Sequence, residues 1–428
     1  MTIERLTQGV RDAQRQLASA SGQTRTAALR ALADILKEEA GSILEANEAD
    51  VVAARQAGVA APLQARLRLT QAKLETLRTG LLTLADAGDP LGRPLRKTLV
   101  DDGLLLTQVT SPLGVLLIIF ESRPDAVIQI AGLGLRTGNG LILKGGSEAV
   151  RSNARLIACI QAALQRVDLP PTCVEGVASR AEVAQLLEMD HHIDLVIPRG
   201  SGELVRSIQA STRIPVLGHA EGICHLYLDR DADPTMATRL AVDGKCDYPS
   251  ACNATETVLV HRDFLPRLPV VAAALQAQGV EIRADEAARC VLPDATAAQD
   301  HDGRTEYGDL VLAVRTVGSL QDAIDWIHAH GSGHTEAIVT DNNDTATQFL
   351  ARVDSASVFH NASTRFADGF RYGLGAEVGI STGRIHARGP VGTDGLLTTR
   401  WLLQGSGQCA ADYGPDGRSF IHKAIETS

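Results

Sequence analysis

Short apolar runs alternate with helical segments along the middle of the chain. Residues 115–120, 141–144 and 192–197 are rich in Val, Ile and Leu, as buried strands are, whereas residues 127–135 and 149–165 carry apolar side chains at helical spacing. Repeated strand–helix units place successive strands parallel to one another, with helices on the faces of the sheet. The pattern therefore predicts an α/β fold with a doubly wound parallel sheet.

The length and composition are typical of an enzyme with more than one domain. At 428 residues the chain exceeds what one core usually organises, and a second α/β unit is predicted from about residue 246. The net charge of −10 argues against nucleic acid as the main partner. The seven cysteines are odd in number and form no CxxC pair, so we expect free thiols and a reducing, cytoplasmic setting. The most apolar run, residues 115–120, is too short to span a membrane.

Two strand-to-helix junctions are candidates for binding a phosphate-containing cofactor. Each follows a predicted buried strand and combines small residues with a cation, at the sheet edge where open α/β folds bind ligands. The first junction comprises Lys144, Gly145, Gly146, Ser147 and Glu148, and the second comprises Pro198, Arg199, Gly200 and Ser201. A plain β–α turn is the alternative, since neither junction carries the GxGxxG dinucleotide fingerprint.

Cys252 is the candidate nucleophile. It lies in a polar segment containing Asn and Thr, on the turn before the strand-like residues 257–261, where a thiol can be exposed while its flanks stay rigid. A thiolate is well suited to attack an activated acyl group. The alternative is a small buried hydrophobic residue, as many free cysteines are. No metal site is predicted, because His219 and the other histidines lack ligand spacing.

Polar side chains in two further segments are candidate donors for an anionic substrate. Arg123 follows the most apolar strand, and a guanidinium there is able to hold a carboxylate or phosphate through two hydrogen bonds. The alternative for this segment is a helix N-terminus capped by Ser122. The Gly-rich region that follows residue 360 adds Asn361, Ser363, Thr364, Arg365 and Arg388. A solvated loop is the alternative there.

Taken together, these motifs resemble those of the γ-glutamyl phosphate reductases, a branch of the aldehyde dehydrogenase superfamily. Residues 246–257 resemble the active-site signature of that family. The match extends over most of the chain, at residues 120–124, 138–148, 197–200, 218–225, 361–366 and 373–390. The motifs are closer to the reductase half of bifunctional pyrroline-carboxylate synthetases than to the commonest bacterial reductases. A stand-alone reductase is expected.

The resemblance implies an aldehyde-dehydrogenase-like fold with two domains and a small oligomerisation arm. The expected parts are a Rossmann-type NADPH-binding domain at 1–96 and 112–245, an α/β catalytic domain at 246–390, and oligomerisation elements at 97–111 and 391–428. We expect a homodimer or homotetramer. By similarity, both strand-to-helix junctions contact NADPH, and Glu306 holds the nicotinamide ribose. The residues alone do not decide whether the cofactor is NADPH or NADH. Lys144 and Ser147 are suited to hold a 2′-phosphate, whereas the negative charge of Glu148 would oppose one.

The resemblance also implies a reaction. Cys252 is expected to form a thioester from L-glutamyl 5-phosphate, with backbone amides near Cys252 and Asn253 stabilising the oxyanion. Reduction by NADPH then gives L-glutamate 5-semialdehyde for proline biosynthesis. The carboxylate with which hydrolytic relatives activate water is missing from residues 217–220, and Ser122 lies near the position of their oxyanion-hole Asn. Arg123, Arg365 and Arg388 are expected to bind the substrate carboxylate or phosphate.

Two other interpretations are weighed against this one. A hydrolytic aldehyde dehydrogenase would release a free acid, but it would need the missing carboxylate. An oligomeric binding protein on a retired dehydrogenase scaffold would not need to retain Cys252 with its complete flanks. The expected partners are a small-molecule substrate and, through functional coupling, a separate glutamate kinase. Neither nucleic acid nor a membrane is expected.

Overall fold

The amino-terminal part of the molecule is helical. The computed structural model describes residues 2–121, 123–415 and 417–426, so the predicted cap and oxyanion-hole neighbour Ser122 lies outside the described residues. The helices are α1 (Ile3–Ser19), α2 (Gly22–Glu38), α3 (Ala40–Gln56), α4 (Ala61–Leu67) and α5 (Gln71–Asp86). The side chains of Ser21 and Thr70 accept hydrogen bonds from the first turns of α2 and α5, as N-caps do.

An antiparallel pair, β1 (Pro94–Asp101) and β2 (Leu104–Pro112), connects these helices to the first parallel sheet. The strands of that sheet are β3 (Val115–Phe120), β4 (Gly140–Lys144), β5 (Val174–Gly176) and β6 (Leu195–Arg199). The helices of this unit are α6 (Asp125–Arg136), α7 (Val150–Gln165), α8 (Arg180–Leu186) and α9 (Gly202–Ser211).

The first parallel sheet has the order β5-β4-β3-β6. Strand β3 has the predicted bounds and is buried along its whole length, because helices cover both faces of a parallel sheet. The chain continues from β3 to β4 on one side and later adds β6 on the other. The carboxyl end of β3 is therefore the point where the strand order reverses, which is where such sheets bind ligands.

The second parallel sheet has the order β10-β9-β11-β8-β7-β12-β13. Its strands are β7 (Cys224–Leu228), β8 (Thr255–His261), β9 (Glu281–Ala284), β10 (Thr296–Ala297), β11 (Val311–Val317), β12 (Thr335–Val339) and β13 (Ser357–His360). Its helices are α10 (Pro234–Cys246), α11 (Leu268–Ala277), α12 (Glu286–Arg289), α13 (Leu320–His330) and α14 (Asn343–Arg352). The predicted boundary at residue 246 falls inside this unit, because Leu226 of β7 and Ala241 of α10 pack in its core.

The last four strands are antiparallel to their partners. Two of them extend the β1–β2 pair into a four-stranded sheet, and the other two pair with each other. The remaining strands are β14 (Ile380–Ser381), β15 (Gly389–Pro390), β16 (Leu397–Gln404) and β17 (Lys423–Ile425). The antiparallel sheet has the order β16-β2-β1-β17, so strands from the two predicted oligomerisation elements, residues 97–111 and 391–428, pair with each other within the chain. Trp401 and Leu403 of the outer strand β16 are 50% and 59% exposed. Among the helices of the described residues, none is both long and apolar enough to cross a membrane.

Candidate active site

Cys252 lies in the loop between α10 and β8, at the amino end of a fully buried strand. Two backbone hydrogen bonds fold this loop, from Ala251 N to the Tyr248 carbonyl at 3.1 Å and from Ala254 N to the Ala251 carbonyl at 2.9 Å. The Asn253 side chain donates to the Ala367 carbonyl at 2.9 Å. The loop around Cys252 is therefore anchored on both sides of the thiol.

The backbone of Gly222 packs directly against the backbone of Cys252. A Cβ at residue 222 would lie 2.1 Å from the Cys252 carbonyl oxygen, so only glycine fits without moving the main chain. The thiol of Cys224 donates to the same carbonyl at 3.3 Å. The segment that leads into β7 thus holds the Cys252 loop at van der Waals distance.

Two carboxylates and two guanidinium groups affect the pKa of the Cys252 thiol. Burial is the largest cause that raises the pKa of Cys252 to about 12, and the negative charges of Glu306 and Glu377 raise it further. Arg199 and Arg365 act in the opposite direction. Glu306 is held in place because its Oε2 accepts a hydrogen bond from Gly222 N at 2.9 Å. The thiol is therefore protonated in the free protein at neutral pH.

Two imidazoles adjoin Cys252. One ligand atom from each of His219, His334 and Cys252 lies within 4.8 Å of the others. The Nδ1 of His219 is 3.0 Å from the Ile380 carbonyl oxygen, and the Nδ1 of His334 is 2.8 Å from the Thr335 hydroxyl. Burial lowers the pKa of His334 to about 3, so its ring is neutral. Sequence spacing did not reveal this cluster, because three distant segments contribute to it.

Arginines surround the Cys252 loop, although the protein as a whole is acidic. Asp247 accepts from Arg365 Nε and from Arg371 Nη2, both at 3.1 Å. Arg66 of α4 donates to the Tyr248 and Ser250 hydroxyls at 3.4 Å. Burial, and then the neighbouring charge of Arg123, lowers the pKa of Arg199. Arg199 and Arg365, both predicted site residues, therefore lie near the thiol, and the predicted Arg123 lies near Arg199.

Other predicted substrate residues have partners within the protein. Both ends of the Asn361 side-chain amide bond the Thr340 backbone, and Asn361 has a φ of 53°. Ser363 caps the next turn through Arg365 N, while the hydroxyl of Thr364 contacts that of Thr255 at 3.1 Å. The Arg388 guanidinium bonds the Asp354 side chain at 2.6 Å and its carbonyl at 3.0 Å. These contacts give the four residues structural roles.

The two predicted cofactor junctions lie at the same edge of the first sheet. A cleft of about 630 Å³ opens there between α8 and α9, and Lys144, Arg180 and Ser201 contribute to its lining. Gly145 packs against Asn153, and Gly200 packs against the carboxylate of Glu121. A Cβ at Gly202 would meet the Ala220 carbonyl oxygen at 2.2 Å, which joins the start of α9 to the segment that holds Cys252.

The remaining junction residues flank this cleft. Ser147 and Glu148 lie in a short 3-10 turn before α7, and Gly146 packs against the Glu148 carboxylate. Pro198 belongs to β6 and pairs with Ile119 of β3. Glu306 lies apart from the junctions, on the Cys252 side, through its bond to Gly222. The predicted phosphate donors therefore lie at the edge of the first sheet, whereas the carboxylate predicted for the ribose lies near Cys252.

Two parallel sheets, with a cleft at the carboxyl edge of one and a thiol at the amino end of a buried strand of the other, are typical of nicotinamide-dependent dehydrogenases of the aldehyde dehydrogenase class. The chain belongs to the aldehyde dehydrogenase family, whose family model matches residues 1–289. The γ-glutamyl phosphate reductase of Synechococcus elongatus is 51% identical over 423 residues, which cover 98% of each chain. The predicted resemblance to these reductases is thereby confirmed.

Two further relatives extend the comparison. The Δ1-pyrroline-5-carboxylate synthase of Solanum lycopersicum is 52% identical over 398 residues, which are 92% of this chain and 55% of that protein. The crystal structure of γ-glutamyl phosphate reductase from Thermotoga maritima superposes with a TM-score of 0.93 at 36% identity, over 95% of this chain and 99% of that one. The predicted aldehyde-dehydrogenase-like α/β fold is confirmed.

Removing the charge of Glu306 is expected to make Cys252 more reactive. In Glu306→Gln the side chain can still accept from Gly222 N, but the negative charge that raises the pKa of Cys252 is gone. The thiolate fraction at neutral pH, and with it the rate of alkylation by iodoacetamide, should rise about tenfold for a pKa lower by roughly one. Peptide mass spectrometry over a pH series measures this rate at Cys252, with the exposed Cys290 as internal reference.

Asp309→Asn is the matched control for Glu306→Gln. Asp309 is an exposed carboxylate in the same loop, and its side chain bonds only the adjacent Leu310 N in this part of the structure. Its loss should leave the alkylation rate of Cys252 unchanged. Equal rates in the wild type and Glu306→Gln would show that Glu306 does not control this thiol.

Proposed function

We propose that the chain reduces L-glutamyl 5-phosphate to L-glutamate 5-semialdehyde with release of phosphate, using NADPH, in cytoplasmic proline biosynthesis. The observation that carries the proposal is the thiol of Cys252 among arginines in a protein of net charge −10. A substrate with a carboxylate and a phosphate requires such cations. Similarity to γ-glutamyl phosphate reductases over nearly the whole chain supports the same assignment.

The chemistry begins with loss of the Cys252 proton. His334 is a poor acceptor because its pKa is about 3, so we assign this proton to the partly buried His219. The thiolate then attacks the acyl carbon, the bond from that carbon to the phosphate oxygen breaks, and phosphate leaves with the electron pair. Backbone amides near Cys252 and Asn253 stabilise the oxyanion.

The residues at the cleft fit a nicotinamide dinucleotide. Lys144, Arg180 and Ser201 offer donors for phosphate groups at the carboxyl edge of the first sheet. Glu306, fixed beside Cys252 by Gly222 N, is suited to accept from a ribose hydroxyl. NADPH, when bound, supplies the hydride that takes the Cys252 thioester to the aldehyde level. Cys252 is released as a thiol when the aldehyde leaves.

A hydrolytic aldehyde dehydrogenase is the competing assignment. In the stretch of residues 217–220, the side chain that adjoins Cys252 is the imidazole of His219 instead of a carboxylate. The Nδ1 of His219 is already bonded to the Ile380 carbonyl. The stretch 217–220 therefore supplies no carboxylate that would activate water against a Cys252 thioester, which favours reduction.

We also propose that the antiparallel sheet is an oligomerisation arm, while the first and second parallel sheets form the cofactor and catalytic domains. Strand β16 is a long outer strand with exposed Trp401 and Leu403, and such an edge readily pairs with another chain. The occupant we propose is a second copy of this chain. Strand pairing between copies would cover these apolar side chains.

Charged side chains on β16 are expected to dissociate the oligomer. In Trp401→Asp with Leu403→Asp, desolvation of two carboxylates at the interface should reduce the mass measured by light scattering to that of one chain. Val270→Asp is the control, since Val270 is an exposed apolar residue on α11, outside this sheet. An unchanged mass in the double variant would place the interface elsewhere.

Loss of the nucleophile is expected to abolish the reaction. With a glutamate kinase, ATP and glutamate supplying the substrate, Cys252→Ala should oxidise NADPH more than about 1,000-fold slower than the wild type. Cys290→Ser, which removes an exposed thiol, should retain full activity. The reverse reaction, followed as NADP⁺ reduction, should require inorganic phosphate. Turnover without phosphate would instead support the hydrolytic enzyme.

Arg123 and Arg388 are expected to differ in their effect on substrate binding. Arg123→Gln should raise the KM for phosphate in the reverse reaction about 10- to 100-fold, which corresponds to about 1.5–3 kcal/mol for hydrogen bonds to a charged group. Arg388→Gln should change this KM much less, because its guanidinium is held by Asp354. Equal increases in both variants would mean that Arg388 leaves Asp354 to contact the substrate.

A further inference from the structure

The cluster of Cys252, His219 and His334 has the composition of a metal site. The three side chains offer one sulfur and two nitrogen ligand atoms within 4.8 Å of one another. His334 is 1% exposed, and its Nε2 has no hydrogen-bond partner within the part of the chain that the structure describes. A buried imidazole nitrogen without a partner, on a ring that adjoins a thiol, calls for an explanation, and a bound ion would supply one.

The second nitrogen of each ring is already engaged. His219 Nδ1 lies 3.0 Å from the Ile380 carbonyl, which can only accept, so this nitrogen carries the proton and Nε2 has a free lone pair. His334 Nδ1 lies 2.8 Å from the Thr335 hydroxyl. A carbonyl or hydroxyl that orients the far nitrogen is the usual outer shell of a metal-binding histidine.

We propose that Cys252, His219 and His334 form a Zn²⁺ site that, when filled, blocks the nucleophile. Zinc prefers sulfur and imidazole ligands in a tetrahedron, with Zn–S of about 2.3 Å and Zn–N of about 2.0–2.1 Å, which places ligand atoms roughly 3.5 Å apart. The three ligand atoms, which lie within 4.8 Å of one another, need to approach by roughly 1 Å to reach this spacing. Cys252 releases its proton to solvent as the Zn–S bond forms, and the fourth position is left to water.

The charges around the cluster allow a dication to bind. Glu306 and Glu377 add negative charge, whereas Arg199 and Arg365 oppose it, as their effects on the Cys252 thiol show. The proposal of the site rests on the positions of the three side chains. The blocking effect rests on the proposed function, because it requires that Cys252 be the nucleophile.

The test measures binding without turnover. The full-length protein, with the exposed Cys290 and Cys409 replaced by serine, is titrated with Co²⁺ as a spectroscopic substitute for zinc. One ion per chain should produce a thiolate-to-cobalt charge-transfer band and the intense visible absorption of a tetrahedral site. Zn²⁺ should then displace the cobalt, and a chromophoric chelator gives the zinc affinity.

Single-ligand variants decide between this site and adventitious binding. His219→Ala and His334→Ala should each weaken Zn²⁺ binding at least about 10- to 100-fold, the loss typical even of outer-shell changes. Cys252→Ala should abolish the charge-transfer band. His191→Ala, which removes a histidine side chain that is 95% exposed, should change neither. A band absent from the wild type, or unaltered in all three ligand variants, overturns the proposal.

Activity measurements separate this proposal from the proposed function. Zn²⁺ should inhibit NADPH oxidation in the coupled assay in proportion to occupancy of the site, and a chelator should restore the rate. Metal binding with the expected variant pattern, in a protein that does not turn over glutamyl phosphate, would refute the function and leave the site. Full turnover with Zn²⁺ bound would refute the blocking role. Turnover without site-specific binding would refute the site.

Discussion

The contact between the backbones of Gly222 and Cys252 is the constraint on which the rest of the site depends. Because Gly222 lacks a Cβ, the segment entering β7 lies against the Cys252 loop, and the Gly222 amide donates to Glu306. The same segment places His219 beside the thiol and packs Ala220 against Gly202 at the start of α9. A few residues thereby connect the cofactor edge of the first sheet to the thiol on the second.

The electrostatics of the site combine a neutral thiol with nearby cations in a protein that is acidic as a whole. Burial, Glu306 and Glu377 keep the Cys252 thiol protonated in the free protein. Because the thiolate is the reactive form, this limits reaction with adventitious electrophiles. The cations are gathered a short distance away and partly neutralised by Asp247, which holds both Arg365 and Arg371. An incoming anion can compete for these guanidinium groups without leaving an isolated buried charge behind.

Sequence reasoning was most successful where the signal is local. The bounds of strand β3 could be predicted because a run of six apolar residues is typical of a buried strand. The polar flanks of Cys252 distinguished it from the other cysteines. The role of His334 could not be predicted, since its place beside Cys252 depends on β12 lying next to β7. Asn361 was predicted as a donor for the substrate. Its backbone is left-handed, and its side-chain amide bonds the backbone N–H and carbonyl of Thr340, which composition does not reveal.

Residues 217–220 contain no carboxylate, and His219 of this stretch lies beside the thiol, which matters for any acyl group that Cys252 would carry under the proposed function. A carboxylate beside a thioester would take a proton from a water molecule, and that water would then attack the carbonyl carbon. The Nδ1 of His219 is bonded to the Ile380 carbonyl, and the imidazole lies beside the Cys252 thiol. Under the proposed function, the same imidazole accepts the thiol proton, and residues 217–220 offer no carboxylate that would activate water against an acyl group on Cys252.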